Sequence, residues 1–311
     1  MELQALRGVV PAIVTPFDAR DNVDTDAAGR LTGWLVDNGV HGIMTTGGTG
    51  EFPHLDRGER RDLTRAVAQA AAGRVPILAG TAACSTREVL SLCEDAADDG
   101  ADGVITVPPY YFPLPASAIA EFFGSVADRS PLPVFVYNNP LYTGNGMSPA
   151  LIAEILGHDN IAGLKQSEPD LGQLVEVIHE VRTVRGLTRS LFTGVDSQFA
   201  AALSVGADGI YSTAAGIVPE QIVRLYSVAA AGDARAAADL QLELQPLNRF
   251  LEYDPGYVAP AKQALRMRGI EVGDPRAPLP GLTDGELARL RSALAGLGVA
   301  SPAADPAAVT G

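Results

Sequence analysis

Only two of the 23 basic residues are lysines, Lys165 and Lys262. Arginine takes nearly every other cationic position, so the placement of each lysine carries information. Lys165 closes the apolar run Ile161-Ala162-Gly163-Leu164. A lysine at the end of a buried strand faces a barrel mouth or lies over its rim. Loss of water there penalises an ammonium and favours the free amine, which attacks a ketone to give an imine. A surface lysine just past the strand, or one paired with a carboxylate, fits the same position. Tyr137 ends the run Val134-Phe135-Val136. A phenol so placed can pass a proton to and from a substrate, although a lone packed tyrosine explains it equally. The loop Thr46-Gly47-Gly48-Thr49-Gly50-Glu51 is rich in backbone N–H groups. It can cradle a small carboxylate or simply turn tightly. It lacks the Lys-Ser/Thr ending of a phosphate-binding P-loop.

Other chemistries find little support. His41, His54, His158 and His179 have no ligand-like spacing, so no metal site is expected. No G-x-S-x-G nucleophile elbow is present, and no G-x-G-x-x-G follows an early strand. Cys84 and Cys93 fall in one expected helical stretch and read as helix packing rather than a disulfide framework.

The elements that must position these residues alternate regularly. Strands are expected at Val9–Val14, Gly42–Thr45, Val75–Ala79, Gly103–Val107, Val134–Tyr137, Ile161–Lys165, Ser190–Thr193 and Gly209–Ser212, each with a helix behind it. Asp56 with Glu59 forms a capping box, and Ser85 with Glu88 is expected to open the next helix in the same way. Ser148-Pro149 and Val218-Pro219 place proline where a helix starts. Three similar segments, Gly39–Ile43, Gly100–Val104 and Gly206–Ile210, each end a helix on glycine and enter a strand. The fold class is therefore α/β, a (β/α)8 TIM barrel with additional C-terminal helices; an open doubly wound sheet is the runner-up. The barrel is expected over 1–230 and a helical extension over 231–298, with helices at Ala234–Glu252, Tyr257–Arg268 and Asp284–Leu297. A disordered tail is expected over 299–311.

The net charge of −14 argues against nucleic acid or an anionic membrane as partner. No stretch has the length of a membrane span, and Met1–Arg7 has no secretory pattern. A cytoplasmic location is expected.

In combination these residues are similar to the class I, pyruvate-dependent aldolases and lyases, the superfamily of dihydrodipicolinate synthase, N-acetylneuraminate lyase and 2-keto-3-deoxygluconate aldolase. The resemblance runs from Gly8 to about Leu297. It is carried by Val10–Phe17, by Gly47-Gly48-Thr49-Gly50-Glu51, by Tyr137-Asn138-Asn139-Pro140 with Thr143-Gly144, and by Gly163-Leu164-Lys165. The resemblance implies that Lys165 forms the imine, that Tyr137 relays protons, and that Gly48 and Thr49 hold the pyruvyl carboxylate. It implies that Tyr111, in Pro108-Pro109-Tyr110-Tyr111-Phe112, reaches a neighbouring subunit's site, making a homodimer or homotetramer. Lys262 is implied to be structural or interfacial. No cofactor is implied beyond the covalent lysine imine; the partners are a small keto acid and an aldehyde.

Departures narrow the member. Dihydrodipicolinate synthase carries an arginine five residues after the motif tyrosine, where this chain has Tyr142, and Thr-Thr in the loop, where this chain has Gly48-Thr49. Both oppose a lysine-biosynthetic role. Asp196 and Ser212 fall where sialate lyase binds its sugar chain. The wording of Gly47–Phe52 resembles the branch that dehydrates keto-deoxyglucarate. An acceptor pocket of Phe52, Pro53, His54 and Tyr142 suits an apolar or aryl aldehyde. Ser167 and Gly194 complete the substrate-binding set. The expected activity is aldolase chemistry on pyruvate or a 2-keto acid, with a hydro-lyase on the same imine as the alternative. A catalytically silent barrel is a third reading.

Overall fold

Eight apolar runs fold as parallel strands in the computed structural model, which describes residues 3–252 and 256–299. They are β1 (Gly8–Pro11), β2 (Ile43–Thr45), β3 (Ile77–Gly80), β4 (Gly103–Thr106), β5 (Val134–Asn138), β6 (Ile161–Gln166), β7 (Ser190–Thr193) and β8 (Gly209–Ser212). Every residue in them is buried except Tyr137, which is half-buried, as expected for strands covered on both faces. β3 starts later than its apolar run because Pro76 has no N–H to give the ladder. The order β1-β8-β7-β6-β5-β4-β3-β2 leaves β1 and β2 at the ends, and a parallel bridge from Ala12 to Met44 joins them into a barrel.

Helices α1 (Thr25–Asp37), α2 (Arg57–Ala71), α3 (Thr86–Asp98) and α4 (Ala116–Arg129) follow the first four strands. The single turn α5 (Pro140–Thr143) and then α6 (Pro149–Ile155) follow β5. α7 (Leu171–Ile178), α8 (Phe199–Ser204) and α9 (Pro219–Ala230) follow β6, β7 and β8. Three more, α10 (Ala234–Glu252), α11 (Val258–Met267) and α12 (Asp284–Gly296), pack against the barrel and one another. Of the expected disordered tail, 300–311 lies outside the described residues.

The capping box of Asp56 and Glu59 forms as expected. Ser85 does not make one: its side chain accepts the Glu88 N–H, but the exposed Glu88 carboxylate makes no return bond. Cys84 is an exposed loop residue ahead of α3, not a helix-packing residue, whereas Cys93 is buried within α3. Gly39, Gly100 and Gly206 have φ of +80°, +88° and +104°, the left-handed turns that the repeated segments imply.

Two layers of packing fix the barrel. Inside it lie Val10, Met44, Leu78, Ile105, Phe135, Ala162, Phe192 and Tyr211, with Leu3 and Leu6 closing the N-terminal end of the strands. The rings of Phe135, Phe192 and Tyr211 meet with centroids 5.0–6.3 Å apart. Outside, the alternate strand residues pack on the helices.

Candidate active site

Lys165 points inward because of an irregularity in β6. Val134 of β5 pairs with Ile161, but the next residue, Phe135, pairs with Gly163, so β6 carries one extra residue. Ala162 faces the barrel interior, Leu164 faces the helices, and Lys165 faces the interior again. Without the bulge, strict alternation from Ala162 would turn Lys165 outward. Only glycine fits at 163: a Cβ there would lie 2.2 Å from the Ser190 carbonyl oxygen and 2.7 Å from the Phe135 ring. Beyond the bulge, Tyr137 pairs with Lys165, so both side chains enter the barrel mouth together.

The lysine side chain is buried, 6% exposed. Its Nζ lies 4.2 Å from the Tyr137 ring centroid, 5.6 Å from that of Tyr211, and 3.9 Å from the Met44 sulfur. Gly194 makes room for it, since a Cβ there would come within 2.9 Å of the Lys165 Cε and would strike the Ser167 hydroxyl. The Tyr137 hydroxyl accepts a 2.9 Å bond from the Asn139 amide. Burial pushes this phenol up, but the Lys165 charge, then hydrogen bonds from Ser167, Asn139 and Lys165, outweigh it and bring the net pKa below the ordinary phenol value. A phenol that ionises more readily while held beside an amine suits a proton relay.

The glycine-rich loop after β2 is held in an uncommon shape. Thr46 and Glu51 have φ of +51° and +57°, left-handed values for residues with a Cβ. The Thr46 hydroxyl donates to the Gly80 carbonyl (3.0 Å), the Thr15 hydroxyl to Gly50 (2.6 Å), and the Glu51 N–H to Gly48 (3.0 Å). Glu51 is buried. One of its oxygens accepts the Arg276 N–H at 2.8 Å and the other lies 2.7 Å from the Lys262 ammonium. Among the described residues, neither the Gly48 nor the Thr49 N–H is spent on a carbonyl of the chain. The Thr49 hydroxyl meets that of Thr213 at 3.0 Å. Lys262, which is 0% exposed, is structural within one chain and not interfacial.

These groups line a cavity of about 310 Å³ at the C-terminal ends of the strands. The expected site residues Lys165, Tyr137, Gly48, Thr49, Tyr142, Gly194, Asp196 and Ser167 all border it. Ser212 does not line the cavity; its hydroxyl donates to the Asp196 carboxylate, so it positions that group. The expected acceptor pocket of Phe52, Pro53, His54 and Tyr142 is not assembled. Only Tyr142 reaches the cavity, whereas Phe52 packs edge-on against Tyr110 and under Arg60. Tyr111 lies away from the cavity, 84% exposed with φ +81°. Asn145 steadies its loop, donating to the Pro109 and Phe112 carbonyls and accepting the Leu114 N–H.

The far wall carries residues that sequence reasoning missed. Glu252 at the end of α10 and Tyr257 ahead of α11 border the cavity with Leu251. The barrel rule directs attention to strand ends, and these come from helices added after the barrel. The one signal in the sequence is a break between two helices that carries polar and aromatic residues. Asp196 accepts hydrogen bonds from Ser212, Thr213 and Ala214; burial, then the neighbouring Glu252 charge, pushes its pKa up to about 7. Burial also raises Glu252, which accepts the Ser197 N–H at 2.8 Å, while its second carboxylate oxygen is buried with no partner among the described residues. Among the described residues no cluster of three or more His, Cys, Asp or Glu is arranged to hold a metal ion, and no helix is long and apolar enough to cross a membrane.

Comparison with known proteins places this geometry. Residues 5–296 match the dihydrodipicolinate synthetase family. The chain is 39% identical over 297 residues to an uncharacterized DapA-like lyase from Halobacterium salinarum, covering 94% of this chain and 95% of that one. It is 35% identical to a 4-hydroxy-tetrahydrodipicolinate synthase from Methanoculleus marisnigri, covering 92% and 98%. Among solved structures, YagE, a prophage protein of the dihydrodipicolinic acid synthase family from E. coli K12 in complex with pyruvate, superposes with a TM-score of 0.89 at 29% identity over 94% and 99% of the two chains. A monomeric dihydrodipicolinate synthase variant superposes with a TM-score of 0.91 at 29% identity over 96% and 98%.

Proposed function

The chain belongs to the dihydrodipicolinate synthetase family and is a lyase, and from that premise we propose that it is a class I aldolase that joins pyruvate to an aldehyde, or releases pyruvate from a 2-keto acid, through an imine on Lys165. The observation that carries the reading is the buried Lys165 side chain beside the Tyr137 phenol, in one cavity with Gly48 and Thr49, whose N–H groups meet no carbonyl among the described residues. The Gly48 and Thr49 N–H groups take the keto acid's carboxylate, which sets its C2 carbonyl against the lysine amine. The amine adds to C2. Tyr137 delivers a proton to the carbinolamine oxygen, water leaves, and the protonated imine forms. That cationic nitrogen then accepts the electron pair released when a proton leaves C3 or when the C3–C4 bond breaks. No cofactor or metal ion enters these steps.

The acceptor end favours an aldehyde without a second carboxylate. Tyr142, Tyr257 and Leu251 border it, no arginine or histidine stands among the described lining residues, and Asp196 and Glu252 stand on the wall. A phenol offers one hydrogen bond and a flat face where a guanidinium would grip a carboxylate. A polyol or aryl aldehyde fits better than aspartate semialdehyde. The exposed Tyr111 serves a neighbouring copy's site, which makes the active unit at least a dimer.

A second reading has its own support. Glu252 and Asp196 both hold their protons more tightly than ordinary carboxyls. A protonated carboxyl at that wall can protonate a departing hydroxide, so a hydro-lyase acting on a 2-keto-3-deoxy sugar acid would use the same imine. The test is a panel of keto-deoxy sugar acids and aldehydes read by free pyruvate. Pyruvate formed or consumed supports the aldolase. A dehydrated keto acid without free pyruvate supports the hydro-lyase. Turnover that persists in folded Lys165→Arg refutes both, because a guanidinium cannot act as the amine.

A further inference from the structure

Position 48 lacks a side chain for a reason that lies across the cavity. A Cβ built on Gly48 would lie 2.5 Å from the Tyr257 hydroxyl oxygen and 3.8 Å from the ring carbon that bears it. The phenol hydroxyl therefore fills the volume directly over the backbone of Gly48, which borders the cavity beside Thr49. The loop's remaining hydroxyl, that of Thr49, is engaged with Thr213 at 3.0 Å.

Tyr257 is held there through the helix it opens. It is the residue from which α11 starts, and α11 also carries Lys262. Lys262 lies 2.7 Å from Glu51, which closes the same loop, and both side chains are 0% exposed. The helix that presents the phenol and the loop beneath it are thus clamped to each other by a buried ion pair. Burial, and then the neighbouring Tyr137, Tyr142 and Glu51, hold the Tyr257 phenol well above its ordinary value. It stays protonated, and a neutral phenol beside an anion is a hydrogen-bond donor.

We propose that the Tyr257 hydroxyl binds the carboxylate of the 2-keto acid, as the donor that takes the place of a side chain at position 48, and that Gly48 is glycine because it admits this phenol. The inference rests on the reading of Lys165 as the imine lysine, since that reading places the carboxylate on the Gly48–Thr49 loop. Tyr257 then discriminates a free carboxylate from an ester or amide. It recognises substrate as a hydrogen-bond donor and not as a proton carrier.

The test compares wild type, Tyr257→Phe, Gly48→Ser and the double variant Tyr257→Phe/Gly48→Ser. Pyruvate affinity is read by calorimetry and, separately, by the pyruvate concentration that half-saturates borohydride labelling. Methyl pyruvate serves as the neutral control. Tyr257→Phe should weaken pyruvate about 10- to 100-fold, the range for a hydrogen bond to a charged group, with methyl pyruvate unaffected and labelling still complete at saturation. Gly48→Ser should be as weak, because its Cβ displaces the phenol. The double variant should recover much of the loss, since the serine hydroxyl returns to the vacated volume. Recovery also excludes a folding defect in Tyr257→Phe. Unchanged pyruvate affinity in Tyr257→Phe, equal loss for methyl pyruvate, or a slowed saturated rate at unchanged affinity would each overturn the proposal. If the wild type resists labelling while calorimetry still shows the loss in Tyr257→Phe, the imine reading fails and the carboxylate site stands.

Discussion

Replacing Lys262 by methionine should destabilise the protein far more than a lysine substitution ordinarily does. Lys262 and Glu51 are both 0% exposed, with Nζ 2.7 Å from the carboxylate oxygen. Burial pulls the ammonium's pKa down while Glu51 opposes that pull, and the net shift is downward. A methionine keeps an apolar stem but loses the ammonium that lies 4.2 Å from the Phe17 ring centroid, and leaves Glu51 with the Arg276 N–H at 2.8 Å and the His54 imidazole at 3.7 Å. Removing one partner of a buried pair costs roughly 3–5 kcal/mol, because the other charge stays desolvated. At about 2–4 °C of Tm per kcal/mol for domains approaching this size, the melting temperature should drop by roughly 6–20 °C. Urea unfolding at a constant m-value gives the free energy directly. Glu51→Gln and the double variant complete a cycle, in which the double should cost clearly less than the sum of the singles. A loss under about 1 kcal/mol in Lys262→Met, or strict additivity, would refute the claim that this pair clamps α11 to the active-site loop.

Three further outcomes follow from the geometry. Asp196 is pushed up to about 7, so between roughly pH 4 and that value the folded chain holds a proton that an unfolded carboxyl, near 3.9, has lost. Its contribution to stability therefore falls as pH rises through this window, and Asp196→Asn should flatten that part of the pH–stability curve; identical slopes would show that Asp196 stays ionised. Gly163→Ala should destabilise by about 1–3 kcal/mol and slow imine formation, since its Cβ meets a backbone oxygen at 2.2 Å; unfolding and borohydride-labelling rates matching wild type would mean that the bulge does not aim Lys165. Co-assembled Lys165→Ala and Tyr111→Phe chains should regain part of the activity each lacks alone, because one mixed site carries both native residues; no recovery in oligomers verified as mixed by native mass spectrometry would confine Tyr111 to its own chain.

The barrel was legible because its signals are local. Apolar runs, the Asp56–Glu59 box and the left-handed glycines at 39, 100 and 206 are each set by a few neighbouring residues. Lys165 and Tyr137 could be nominated from strand ends, and the resemblance gave them roles. What brings them together is the bulge at Gly163, which depends on pairing with β5 and on a carbonyl of β7, neither visible in the β6 sequence. The acceptor side was misread for the same reason. Phe52 and His54 follow the loop in the chain but turn away from the cavity, while Glu252 and Tyr257 arrive from helices some two hundred residues later. Cys84 shows the smaller error: one residue ahead of the cap at Ser85, it leaves the helix and becomes exposed.

The central claim is that the Lys165 amine becomes covalently joined to the keto acid, and one mass measurement tests it. Pyruvate and borohydride are added together, and the digested protein is mapped by mass spectrometry. Borohydride delivers one hydride to C2 of the imine and the C=N electron pair goes to nitrogen, leaving a stable secondary amine on the lysine. A single 1-carboxyethyl group on the peptide containing Lys165, absent when pyruvate or borohydride is omitted and absent from Lys165→Arg, is the predicted result. Labelling at Lys262, or an unmodified chain at saturating pyruvate, would contradict the account.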